Sequence, residues 1–172
     1  MDLGTYVDHE GRPAVRFERT YPHSIDRVWE AITESEDLAR WFPSGVTHDA
    51  RLGGSIAFQG DPYSDPATGT ILAFEPKTKF AYTWGPDELH FTLDDLGERC
   101  RLVLINVLEE ANAAARNASG WTVCLAELDK VLAGQRSDGP HSEEAGAAFE
   151  GIMEQYVAAG MPSGAEIPEK RD

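Results

Sequence analysis

The segment 112–132 most constrains the fold, because it is the one long helical pattern with a heavy apolar stripe that follows a run of strands. At helical spacing its apolar residues share one face: Trp121, Cys124, Leu125, Leu128, Val131 and Leu132. Asn112 is the predicted N-cap, and Gly134 is the predicted C-terminal stop. Burying the four largest side chains contributes about 6 to 12 kcal/mol, comparable to the net stability of a domain. A broad apolar surface must therefore cover this face.

The segments before this helix predict a strand, two short helices and six further strands. Residues 15–21 alternate as a half-buried strand, and helices begin at Ser24 and Ser35. Short apolar stretches then recur between residues 46 and 108, and Gly53 and Gly54 supply the turn of a tight hairpin. The short links between these stretches predict an antiparallel meander.

The expected domain covers residues 13–134, preceded by a flexible terminus at 1–12. A polar linker follows at 135–142, then an amphipathic helix at 143–160 and a frayed tail at 161–172. We expect the appended helix to dock on its own domain, and the outer face of the last strand is one such place, because its residues are apolar on both sides. The alternative is contact with a second copy of the chain or another protein through the apolar stripe of Phe149, Ile152, Met153 and Tyr156.

The charge and composition exclude several classes of partner. The formal net charge of −15 over 172 residues disfavours binding to nucleic acid, which requires clustered Lys and Arg, and to acidic membrane surfaces. No apolar run approaches the ~20 residues that span a bilayer, and no secretory signal is evident, so we expect a cytoplasmic protein. Cys100 and Cys124 lack the spacing of a disulfide framework and are expected to be buried thiols.

The number of strands predicts an α+β fold with an internal cavity. Seven antiparallel strands make a sheet about 34 Å wide, whereas one helix with its side chains is about 10 to 12 Å across. The sheet must curve around the long helix, and the space between them is the predicted ligand site.

Several stretches together resemble the AHSA1-type branch of the START/Bet v 1-like (SRPBCC) superfamily. They are the run from Arg19 into the first helix, the hairpin at 49–54, the strand end at 82–84, and Gly120 with Trp121. The resemblance implies the helix-grip fold, in which a curved antiparallel sheet wraps around a long C-terminal helix over a hydrophobic pocket. The family is named for a co-chaperone that stimulates the ATPase of Hsp90, and its fold is shared with lipid carriers and aromatic polyketide cyclases. Fold analogy alone does not settle function.

Strand alternation and helix spacing give the candidate ligand-binding residues: Arg19, His48, Phe58, Phe74, Tyr82, Trp84, Phe91, Asn106, Trp121 and Leu125. For Tyr82 and Trp84 the alternative is an ordinary aromatic core with each polar tip bonded to backbone. Arg19 either forms an ion pair at the sheet edge or selects an anionic ligand. The five histidines are scattered, so neither a metal site nor a cofactor is expected.

We therefore predict a protein that binds a small hydrophobic or aromatic molecule beneath the long helix. One alternative is a protein-interaction module related to the Hsp90 activator, acting through the acidic surface and the appended helix. The other is an enzyme of the cyclase or dehydratase type, in which Tyr82, His48 or Asn106 polarises a carbonyl.

Overall fold

The computed structural model describes residues 2–171 and contains one curved antiparallel sheet of eight strands with four α-helices. The elements in chain order are β1 Thr5–His9, β2 Arg12–Tyr21, α1 Ile25–Thr33, α2 Ser35–Trp41, β3 Gly45–His48, β4 Ser55–Gln59, β5 Ala67–Glu75, β6 Lys79–Trp84, β7 Asp87–Asp95, β8 Cys100–Val107, a 3₁₀ turn Ala111–Ala113, α3 Ala114–Leu132 and α4 Glu143–Ala158. The order across the sheet is β1-β2-β8-β7-β6-β5-β4-β3. The predicted α+β helix-grip architecture is confirmed.

The sheet has eight strands rather than the predicted seven. The additional strand, β1, lies in the segment 1–12 for which we expected a flexible terminus, and it pairs with β2. The two strands meet through a tight turn in which Glu10 and Gly11 both have positive φ, 51° and 86°. Such a turn matches the twist of antiparallel strands.

The inner face of the sheet is built from residues aligned across neighbouring strands. Phe17 lies opposite Leu104, which lies opposite Phe91, and the row continues to Phe80 and Phe74. Helix α3 packs over this face with Trp121, Leu125 and Leu128 buried. The apolar face predicted for this helix is therefore the face that packs against the sheet.

The observed caps differ in part from those predicted. The Ser24 hydroxyl accepts a hydrogen bond from the Arg27 N–H and caps α1 as expected. Asn112 does not cap α3, because a 3₁₀ turn comes first and α3 begins two residues later, without a side-chain cap. Gly134 follows the end of α3 with a φ of 70°, which is the conformation expected of a glycine stop.

The appended helix α4 docks on α3 rather than on the outer face of β8. The Tyr156 hydroxyl accepts a hydrogen bond from the Gly4 N–H at 2.7 Å and donates one to Thr122 Oγ1 at 2.7 Å, because the Thr122 proton goes to the Ala118 carbonyl. Ile152 and Tyr156 are buried within the chain, so these two residues do not present a free surface for a second molecule. Phe149 and Met153 are half-buried against the core.

The tail after α4, which we expected to be frayed, lies along the start of α3. The Ala115 N–H donates to the Pro162 carbonyl at 2.9 Å, and Arg116 donates to the Glu166 carbonyl at 2.9 Å. Near its end, the Arg171 N–H donates to the Pro62 carbonyl at 2.7 Å, and its guanidinium pairs with Asp65. The tail thus joins α3 to the loop between β4 and β5.

Candidate functional site

The space between the sheet and the first half of α3 is occupied by aromatic rings in contact. We call this set the aromatic cluster; its members are Phe42, Phe58, Phe80, Tyr82, Trp84, Phe91 and Trp121. Ring centroids lie 5.3 Å apart for Trp84 and Trp121, 5.6 Å for Phe42 and Trp121, and 5.7 Å for Phe58 and Tyr82. The side chains predicted to line a cavity therefore fill that space themselves.

Five of the predicted residues meet in this cluster, and a sixth lies in the same core. Phe58, Tyr82, Trp84, Phe91 and Trp121 belong to the cluster, and Leu125 is buried further along α3. Trp84 is the one of these that keeps part of its surface open to solvent, at the end of β6. The open side of the cluster is therefore at Trp84.

The Tyr82 hydroxyl is the polar group enclosed by this cluster. Tyr82 is fully buried, and its hydroxyl has no hydrogen-bond partner among the residues that the structure describes. Burial raises the pKa of this phenol well above its ordinary value of 10.0, so the hydroxyl keeps its proton at neutral pH. It is a hydrogen-bond donor surrounded by apolar rings.

Asn106, also a predicted ligand-binding residue, is used within the protein. Its amide donates to the Asp87 carboxylate and the Glu88 carbonyl, both at 3.3 Å. Its oxygen accepts from Asn117 at 3.0 Å and from the Trp121 indole N–H at 3.1 Å. Every polar atom of this side chain is bonded within the protein, so it fixes α3 and Trp121 on the sheet.

Asp87 completes this network, and sequence reasoning missed it. Its carboxylate accepts hydrogen bonds from Asn106, from Asn117 and from the Glu109 N–H, the last at 3.0 Å. Burial is the largest influence on this carboxyl and raises its pKa, although the donors act in the opposite direction. Asp87 is the first residue of β7, directly after Gly85 and Pro86, and the sequence there gave no signal beyond that of a turn.

Arg19 lies away from the aromatic cluster. Its guanidinium donates to the Asp2 carbonyl at 2.7 Å and to the Glu18 carbonyl at 3.1 Å, and it lies over the Phe17 ring. It therefore does not line the aromatic cluster, and among residues 2–171 no carboxylate forms the expected ion pair with it at the sheet edge. An anionic ligand would have no support from Arg19 at the cluster.

His48 and Phe74 lie together in a separate cleft of about 280 Å³ at the end of α1. His48 Nε2 bonds to the Thr33 carbonyl at 2.8 Å, and its ring lies 5.2 Å from Phe80. Phe74 packs against Trp29 at 5.6 Å. These two predicted residues therefore belong to a different site from Tyr82, and we call it the α1 cleft.

The aromatic cluster also contains Phe42, which sequence reasoning had not selected. Phe42 follows α2 and contacts three other members of the cluster, including Trp84 at 6.3 Å. The run of Trp41, Phe42 and Pro43 after a helical turn was the available signal. This run indicated the end of a helix. Strand alternation gives no information about where a loop residue such as Phe42 packs.

No group of three or more His, Cys, Asp or Glu side chains within residues 2–171 is arranged to hold a metal ion. None of the helices in that range is both long and apolar enough to cross a bilayer. Cys100 and Cys124 are free and buried, and burial raises the pKa of both thiols, that of Cys100 to about 11.

Comparison with known proteins places this architecture in a wider group. The family described as Activator of Hsp90 ATPase homolog 1-like protein matches residues 22–133. CalU16 from Micromonospora echinospora has a similar structure at 23% identity, with a TM-score of 0.72 over 90% of this chain and 94% of that chain. EF2215 from Enterococcus faecalis, described as a conserved protein of unknown function, is 19% identical, with a TM-score of 0.73 over 91% and 89%.

DynU16, described as a protein in the dynemicin biosynthetic locus, is 21% identical, with a TM-score of 0.62 over 78% of this chain and 59% of that chain. At these identities the similarity establishes the fold alone. No curated protein matches the sequence significantly.

Proposed function

Because this chain belongs to the family of Activator of Hsp90 ATPase homolog 1-like proteins within the SRPBCC superfamily, we propose that it binds a small neutral aromatic molecule between the sheet and α3. The contacts would come from Phe58, Tyr82, Trp84, Phe91 and Trp121, with Leu125 further along the helix. The aromatic cluster occupies the space between the sheet and α3, and a ligand would enter as Trp84 and Phe42 move aside.

The observation that carries this proposal is the unpartnered hydroxyl of Tyr82. A buried hydroxyl without a hydrogen bond costs about 1 to 3 kcal/mol, and phenylalanine would fill the same position without that cost. A bound molecule with an oxygen acceptor would accept a hydrogen bond from the Tyr82 hydroxyl and remove the cost. The hydroxyl therefore supports a ligand that carries a carbonyl or ether oxygen.

The charges around the cluster support a neutral ligand. Arg19 bonds to backbone carbonyls outside the cluster, and the Asp87 carboxylate is bonded to three N–H donors. An ion placed among these rings would lose its hydration without gaining a charged partner, which is strongly unfavourable. Aromatic walls instead favour a flat, uncharged molecule.

A matched pair of ligands tests the proposal. Binding of 2-acetylnaphthalene and of 2-ethylnaphthalene, which have nearly the same shape, is measured by quenching of tryptophan fluorescence. We expect the ketone to bind about 5 to 10 times more tightly, since a net hydrogen bond contributes about 1 kcal/mol. In Tyr82→Phe this preference should disappear, while the affinity for the hydrocarbon is retained.

Tyr21→Phe is the control variant. The Tyr21 hydroxyl is also buried without a described partner, but Tyr21 lies at the end of β2, where burial, and after it the Asp129 carboxylate of α3, raises its pKa. Its removal should leave the ketone preference unchanged. Equal loss of the preference in both variants, or no saturable binding of either naphthalene to the wild type, would refute the proposed site.

Two other functions receive less support. The protein-interaction alternative relied on the apolar stripe of α4, and Ile152 and Tyr156 of that stripe are buried against the same chain. The enzymatic alternative named Tyr82, His48 or Asn106 as the group that polarises a carbonyl, and of these only Tyr82 has a hydroxyl without a described partner in the cluster. His48 belongs to the α1 cleft, and Asn106 is fully bonded within the protein.

A further inference from the structure

The tail after α4 is fixed at two separated points, and we call the segment 166–171 between them the strap. At its first end, Arg116 of α3 donates to the Glu166 carbonyl at 2.9 Å. At its last residue, the Arg171 N–H donates to the Pro62 carbonyl at 2.7 Å, in the loop between β4 and β5. Residues 167–170 are exposed to solvent. The strap is therefore a surface segment that is held at its ends.

The first end of the strap lies beside the open side of the aromatic cluster. The Arg116 Nε donates to the Asn117 side-chain oxygen at 3.0 Å, and the Asn117 amide donates to the Asp87 carboxylate at 3.2 Å. Asp87 is paired with Trp84 across the turn between β6 and β7. The strap thus starts next to the strand end that carries Trp84.

The second end of the strap lies on the other side of Trp84, because the β4–β5 loop leads into β5, the neighbour of β6. A Cβ atom added at Gly69 would meet the Thr83 carbonyl oxygen at 2.5 Å, so the beginning of β5 lies directly against the residue before Trp84. The strap advances by five residues, which span at most about 18 Å. A segment this short takes a direct path, and that path crosses the end of β6 at Trp84.

The loop that receives the strap is fixed to the other ring at the opening. His141 of the linker donates to the Pro43 carbonyl at 2.6 Å, and its ring lies 5.3 Å from the ring of Tyr63 in the β4–β5 loop. Pro43 directly follows Phe42, which must move with Trp84 to admit a ligand. The loop therefore connects the strap to Phe42 as well as to the strand end at Trp84.

The contact between the strap and the loop includes an exposed ion pair. Residues 61–66 contain Asp61 and Asp65 and no basic residue, and the Arg171 guanidinium pairs with Asp65. The side chains of Arg171 and Asp65 are 55% and 80% exposed, so the pair contributes little to stability. The end of the strap can therefore leave the loop while α3 stays folded.

We propose that the strap closes the opening at Trp84 and sets the rate at which a ligand enters and leaves the aromatic cluster. Trp84 and Phe42 move aside when Arg171 has released the β4–β5 loop. The contacts of the strap with the loop are the same whether the cluster is empty or occupied, so the strap changes both rates and leaves the affinity alone. This inference rests on the proposed function, since entry and exit require a ligand that binds.

The experiment measures the association and dissociation rates of 2-acetylnaphthalene with the full-length protein by stopped-flow tryptophan fluorescence. Arg171→Gln and Asp65→Asn each remove one partner of the ion pair. We expect both rates to rise about 2- to 5-fold in each variant, while the dissociation constant changes by less than about 2-fold. Combining Asp65→Arg with Arg171→Asp forms the pair in the opposite orientation and should restore the wild-type rates. Lys170→Gln, which removes the same charge from the neighbouring exposed residue, should change the rates by less.

The outcomes separate the strap from the proposed function. Unchanged rates in Arg171→Gln, with binding intact, would overturn the role of the strap and leave the proposed function standing. Equal acceleration by Lys170→Gln would also overturn it, and so would a weaker affinity without faster association, which indicates a structural contact only. If neither the wild type nor any variant shows saturable binding, the proposed function is refuted and this inference with it.

Discussion

The unpartnered hydroxyl of Tyr82 can be tested in the protein alone, without a ligand. Replacing Tyr82 with Phe removes an oxygen that is fully buried and has no described hydrogen-bond partner, and it leaves the ring in place. Burying the Tyr82 hydroxyl without a hydrogen bond costs about 1 to 3 kcal/mol. We expect Tyr82→Phe to raise the free energy of unfolding by about 1 kcal/mol, because part of that gain is lost to looser packing around the ring.

Tyr156→Phe is the matched control, since the chemical change is identical but the environment is opposite. The Tyr156 hydroxyl makes two hydrogen bonds of 2.7 Å, and its removal leaves the buried Gly4 N–H without an acceptor. We expect this variant to lose about 1 to 3 kcal/mol. The two substitutions should therefore change stability with opposite signs.

Urea denaturation followed by circular dichroism measures both free energies, and an unchanged m-value shows that the two-state comparison holds. In a chain of this length each kcal/mol corresponds to a change of about 2 to 4 °C in the melting temperature. If Tyr82→Phe is destabilised as much as Tyr156→Phe, the Tyr82 hydroxyl has a partner in solution. A ligand with an oxygen acceptor would then have no support from Tyr82.

Three further predictions concern helix α3, the hydrogen-bonded pair of His90 and Glu88, and the C-terminal tail. Leu128→Asp places an unpaired charge at a fully buried position and should abolish cooperative thermal unfolding. Leu128→Met, the control, should lower the free energy of unfolding by less than about 1.5 kcal/mol. A normal melting temperature for the Leu128→Asp variant would contradict the packing of α3. The hydrogen bond from His90 lowers the pKa of the Glu88 carboxyl below its ordinary 4.5. The ionised carboxylate therefore stabilises the fold above pH 4.5, and this contribution is lost as the pH falls through the pKa of Glu88 in the folded protein. Glu88→Gln should therefore cost under about 1 kcal/mol at pH 7 and nothing in strongly acidic buffer, and a loss that persists in acid would contradict this origin. Deleting residues 165–172 removes the contacts of the tail with the β4–β5 loop. Amide hydrogen exchange should become faster within residues 60–66 while the central strands stay protected. Unchanged exchange within 60–66 would show that the tail does not hold the loop.

The regular elements could be read from the sequence because their burial follows simple periods. Alternation placed Phe80, Tyr82 and Phe91 on one face, and helical spacing placed Leu125 and Leu128 on the covered face of α3. Strand β1 was missed because its hairpin turn uses Glu10, which is not a residue that typically adopts positive φ. A two-residue turn of Asn-Gly would have been recognised.

The tail could not be placed from the sequence for a different reason. It is held mainly through backbone groups, such as the Ala115 N–H and the Pro162 carbonyl, and these are common to every residue type. Its side chains show no apolar period that would predict docking. Similarly, nothing in the pattern of α4 showed that Tyr156 would meet both Gly4 and Thr122.

The width of the sheet predicts that one helix leaves space beneath it, but width alone does not say what fills that space. Interiors pack to a density that leaves few voids, and large inward rings such as Phe58 and Tyr82 serve equally as the wall of a cavity or as its filling. A core selected only for packing would gain stability by replacing Tyr82 with Phe, since the hydroxyl makes no described bond. An unpaired hydrogen-bond donor among apolar rings is therefore the feature that supports the proposal of a cluster that opens to a ligand.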